Sequence, residues 1–126
     1  MKTAQAREPL TSERVLEAAC AVADTDGIHA VTMRRVAQQL GVEAMSLYHH
    51  TASKEALLDG LADLVLAEVS EAIDRADRTV GPWHAVLRSR ILVARSVMLK
   101  HPWAPALIET RSTISLAQIR YVDAAV

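Results

Sequence analysis

The chain has 126 residues, 51% of them hydrophobic and 23% charged, with a formal net charge of -1, which bounds it as one small soluble domain or two closely packed lobes. A single cysteine, Cys20, excludes an internal disulfide framework and a multi-cysteine zinc site, and it suits a reducing interior. No apolar run approaches the roughly 18 residues that span a bilayer, and MKTAQAREPL lacks the apolar core of a signal peptide, so the reading is cytoplasmic, with no membrane span.

Phe is absent, Ala, Leu and Val dominate, and only four Gly and four Pro punctuate the chain, which predicts an all-α fold. Thr11 or Ser12 caps a first helix with Val15, Ala18, Ala19 and Val22 on one face, and Gly27 ends it. Thr32 caps a second, about two turns long, that presents Met33, Val36, Ala37 and Leu40 and stops at Gly41. A third short helix is predicted over about 43–49. A fourth begins at Ser53 and carries Leu57, Leu61, Leu64, Val65, Val69 and Ile73. After Gly81-Pro82 a fifth helix opens at Trp83 and is apolar on most of its girth, through Val86, Leu87, Ile91, Ala94, Val97 and Met98, which predicts a place central to a core. The breaker HPWAP, His101 to Pro105, precedes one short helical piece and the start of another over 106–126. No repeat or low-complexity segment interrupts this order.

A short helix, a turn at Gly41 and a second short helix make a helix-turn-helix pattern. Ala37 is small where one helix crosses another, Gly41 permits a tight turn, and Val42 with Leu47 fills the wedge between them. The segment SLYHH that follows raises a choice between a metal site, an acid-base pair and a phosphate clamp. Adjacent histidines on a helix point about 100° apart, whereas a zinc pair sits three or four residues apart, which argues against a zinc pair at His49 and His50 and leaves a phosphate clamp open, with a solvated or packed histidine as the plain alternative.

The pieces DGIHAVTMRRVAQQLGV, SLYHH and SKEALLDGLAD, in this order and spacing, resemble the N-terminal domain of the TetR family of bacterial transcriptional repressors, over Leu10 to about Val69. LYHH looks most like the branch containing the tetracycline repressor. Many members carry Phe where this chain has Thr51, and Thr brings less apolar area, which implies a weaker seam between the third and fourth helices. The resemblance implies a DNA-binding domain over 9–69 and part of a ligand-binding and dimerisation domain over 70–126.

The resemblance also implies roles for individual residues. Ala44, Met45 and Ser46 would reach base edges in the major groove, with the usual hydrogen-bonding residue replaced by Ala44. Tyr48, His49 and His50 would touch phosphates or the groove wall, Lys54 would meet the backbone at the start of the fourth helix, and Thr32 and Arg34 would flank the groove. Arg35 is read as structural, and Cys20 as a small core residue. The charges from Thr32 to Lys54 form a local positive patch, opposed by Glu43 alone. Acids of the fourth helix are expected to pair with Arg88 or Arg95 of the fifth.

A small effector and a homodimer on a palindromic operator are what the family implies for the complete fold. Trp83, Ile91, Met98, Trp103 and Tyr121 are the candidates for lining an effector pocket, against core packing as the alternative. His84 and His101 match no local metal-ligand spacing, so no metal and no cofactor is assigned. No paired carboxylates, nucleophile elbow or Gly-rich phosphate loop argue for an enzyme. The leading reading is a repressor released by a small molecule, and the alternative is a helical interaction module or a truncated regulator without specific DNA binding. Because ISLAQIRYVDAAV keeps helical spacing to Val126 with no stop signal, the chain reads as a fragment that would leave apolar faces exposed.

Overall fold

A computed structural model of the chain describes residues 9–76 and 80–111. Helix α1 spans Ser12–Asp26 because Thr11, in an extended conformation, accepts a hydrogen bond from the Arg14 amide through its side chain at 3.1 Å, which satisfies one of the amides a helix start leaves open. Its apolar stripe, Val15, Ala18, Ala19, Val22 and Ala23, is buried. The helix ends at Gly27 (φ 91°), and a 3-10 turn over Ile28–Ala30 leads to the next cap. Thr32 repeats the device: its hydroxyl accepts from the Arg35 amide at 3.0 Å and opens α2, Met33–Leu40.

Helix α2 stops at Gly41, whose φ of 71° and ψ of 29° lie in the left-handed region. There the Gly41 amide donates to the Gln38 carbonyl and the Val42 amide to that of Ala37, so the last turn closes on itself. Helix α3 follows at Ala44–Leu47. It is shorter than the 43–49 predicted, because Tyr48 forms its C-terminal cap and the His50 and Thr51 amides both turn back to the Leu47 carbonyl at 2.9 Å. Tyr48, His49 and His50 therefore lie in a turn rather than on a helix.

Ser53 caps α4, Lys54–Ala76, its hydroxyl accepting from the Ala56 amide at 3.1 Å. Two rows of this helix are buried, Leu57, Leu61, Val65, Val69, Ile73 and Leu58, Ala62, Leu66. Rows four residues apart lie one above another on one helix face, and burying each Leu or Val is worth about 1.5–3 kcal/mol. Leu64, expected on this face, is only half-buried. The chain divides into two compact units at Leu61/Ala62, inside α4 and ahead of the 69/70 boundary read from the sequence. In the first unit Gly60 permits a close approach to α1: a Cβ there would stand 2.6 Å from Leu16 Cδ2.

In the second unit α5 spans Trp83–Lys100 and α6 spans Ala104–Thr110. The expectation that α5 is central to a core is corrected: Val97 is its buried residue, while Ile91, Leu92 and Leu99 are exposed. Apolar residues on every side of a helix carry no phase that says which side is covered, and α4, with its sharper stripes, holds the core instead. Glu68 ties α4 to the end of α5, receiving the Lys100 ammonium on one oxygen and standing 2.9 Å from His101 Nε2 with the other. Glu68, rather than an acid facing Arg88 or Arg95, makes the described ion pairing between these helices. The expected last helical run and Tyr121 lie outside the described residues.

Candidate nucleic-acid interface

Helix α3 is held from below and open above. Leu47 is fully buried and anchors the short helix, Val42 is half-buried behind it, and Met45 stands 73% exposed. Ala44 and Ser46 are half-buried beside it. A side chain with Met45's exposure has no packing role here, and its thioether is free to meet an apolar surface such as a thymine methyl.

The flanks carry the polar groups. Tyr48 is 49% exposed, and His49 and His50 are both exposed, so neither histidine packs inward. Arg34 and Lys54 are exposed and have no acidic partner among the described residues. Arg35 differs: its guanidinium reaches Asp26 at 3.4 Å and the Gln39 side chain at 3.3 Å, which agrees with a structural role. Thr32 is exposed, although its hydroxyl already serves the cap of α2.

Ser12 is a contributor that the sequence pattern offers only as a possible cap. Thr11 takes the cap, so the Ser12 hydroxyl is left to donate to the His50 carbonyl at 3.4 Å. That long bond links the start of α1 to the turn after α3. Two candidate caps in succession are the available signal, since only one can serve.

Residues 15–61 match the model of the bacterial regulatory proteins of the tetR family. The chain belongs to the TetR family. Within it, the chain is 34% identical to an HTH-type transcriptional regulator of Saccharopolyspora erythraea, over 98% of this chain and 52% of that protein. It is likewise 34% identical to the class D tetracycline repressor protein of Escherichia coli, over 73% of this chain and 41% of the repressor. The crystal structure of the TetR family protein ActR of Streptomyces coelicolor, in complex with (S)-DNPA, superposes with a TM-score of 0.77 at 26% identity, covering 93% of this chain and 56% of ActR. The chain thus spans about half the length of the first of these relatives, and its TetR-type helix-turn-helix falls wholly inside the unit that ends at Leu61.

The residues named for an effector sit differently from one another. Trp103 is buried, its ring 5.5 Å from that of His101, and Met98 is half-buried. Trp83 and Ile91 are exposed, at 75% and 55%. His84 lies edge-on to its neighbour Trp83. Among the described residues, no helix is long and apolar enough to cross a membrane.

Proposed function

We propose that this protein is a cytoplasmic DNA-binding transcriptional repressor that leaves its operator when a small molecule binds. The observation that carries the reading is the combination at α3: Met45 is exposed on a helix anchored by buried Leu47, and the helices before and after it carry the exposed cations Arg34 and Lys54. In this reading Met45, Ser46 and the Ala44 methyl meet base edges in the major groove. Arg34, Lys54, Tyr48, His49, His50 and Thr32 hold phosphates or the groove wall, fixing register without reading sequence. DNA contact belongs to residues 9–69 and effector recognition to 70–126.

The names of the relatives support the same reading, since they include a transcriptional regulator and a tetracycline repressor. ActR, a family member seen in complex with (S)-DNPA, supports a small-molecule effector, for which Met98 and Trp103, with Trp83 and Ile91 nearer the surface, are the candidates here. Release follows if the effector favours a conformation that fits DNA less well. A palindromic site read by a homodimer is the form of operator that suits such a regulator. Selection from random duplexes by mobility shift tests the proposal: the parent enriches a defined site, and Met45→Ala or Ser46→Ala enriches a different or looser one. Recovery of unenriched DNA by the parent would set the chain down as a helical interaction module.

A further inference from the structure

The first unit contains a groove that the DNA-binding reading does not use. It opens between the start of α1, the 50–52 segment and the first turns of α4, with a volume of 230 Å³. Val15, Leu16 and Leu57 give it an apolar wall, and the polar residues Ser12, His50 and Thr51 complete the lining. None of the residues lining it is Asp, Glu, Lys or Arg.

Size and chemistry together narrow what fits. An apolar cavity of about 150 Å³ accepts a single benzene ring, so the volume suits one ring with a small substituent. A carboxylate or ammonium would lose its hydration against a wall that offers no opposite charge. One hydroxyl on the ring, in contrast, has polar partners in the lining. The wall is also adjustable on one side, because Leu16, which a Cβ at Gly60 would meet at 2.6 Å, does so with its terminal methyl.

We propose that this groove binds a small, neutral, singly hydroxylated aromatic molecule, at a place separate from the effector residues of the second unit. Because His50 forms part of the lining, an occupant stands directly behind a residue assigned to the DNA face. That consequence rests on the DNA-binding reading, so the test leaves DNA out and stays decisive if that reading fails.

Phenol titrated into the isotope-labelled full chain, followed by amide resonances, is the experiment. Saturable shifts are expected at Ser12, Leu16, Thr51 and Gly60. Benzoate, the same ring with a charge, should bind at least about tenfold more weakly. Ala56→Leu adds bulk at another lining position and should weaken phenol by on the order of tenfold. Leu16→Phe fills the groove from the α1 side and serves in its place if the first variant does not fold. Absence of saturation, shifts centred on residues 83–103, equal binding of benzoate, or binding undiminished in a folded filled variant would overturn the proposal. So would the same amides shifting with protein concentration alone, which would mean that a second copy occupies the groove.

Discussion

Arg34 and Lys54 differ from Arg35 in having no carboxylate to answer to among the described residues, and under the proposed function that difference favours Arg34 as the arginine of α2 offered to DNA. The Arg35 pair with Asp26 is partly exposed at both ends, with side chains 36% and 48% accessible, so it is worth about 1 kcal/mol at most. Arg34→Ala and Lys54→Ala are expected to weaken specific and non-specific DNA alike. Each should flatten the plot of log affinity against log salt by about 0.9 for every phosphate that the variant no longer neutralises. An unchanged slope with weaker discrimination would instead make them base readers. Glu68 gives a residue-scale prediction in the second unit. Burial raises its pKa, but hydrogen bonds from Lys100 and His101 and their charges outweigh that and hold the carboxyl below its ordinary value of 4.5. A depressed acid adds stability above its unfolded pKa and loses it as pH falls through the folded one. Urea midpoints should therefore fall more steeply for the parent than for Glu68→Gln as pH drops from about 4.5 to 3; parallel curves over that range would remove Glu68 from the acid limb.

At the scale of the element, the turn between α2 and α3 rests on one backbone conformation. Gly41 has open space around a would-be Cβ, so Gly41→Ala meets no steric clash and costs only the strain of the left-handed φ, about 1–2 kcal/mol. Gly41→Asn should recover part of that loss, since Asn tolerates this region better. Denaturant midpoints of the three proteins check the order; equal midpoints for Gly41 and Gly41→Ala would show that the turn relaxes. This part of the fold is legible in the sequence because caps and left-handed glycines are local: Thr11, Thr32, Gly41 and Ser53 each act on residues within four positions. The end of α3 is not legible, because nothing in SLYHH forbids a longer helix and the turn is closed by two amides competing for the Leu47 carbonyl. The pairing of Arg35 with Asp26 follows from how α1 and α2 meet, which spacing alone does not contain. Arg34 could be singled out only because a resemblance supplied the face; by charge alone it equals its neighbour.

At the scale of the whole molecule, apolar sequence and burial agree along α1, α2 and α4 and part company along α5. The unit ending at Leu61 buries its stripes on α1, α2 and the start of α4, whereas α5 in the other leaves Trp83, Ile91, Leu92 and Leu99 exposed. Leu92 and Leu99 are seven residues apart and so share a face of α5, and apolar surface gathered on one face is a site of association. The 126-residue chain is therefore expected to self-associate as its concentration rises, and Leu92→Lys combined with Leu99→Lys should return it to a monomer. Association of this kind need not help at an operator, because a palindrome favours only an assembly that holds two recognition helices about 34–36 Å apart. Neither leucine belongs to the unit that carries α2 and α3, so the double variant should bind a single half-site as the parent does. Sedimentation equilibrium beside titrations of half-site and palindromic duplexes separates the possibilities. A parent that stays monomeric at all concentrations would dismiss the exposed face as a cause of association. A double variant that fails on the half-site as well would show that α5 itself contributes to DNA binding.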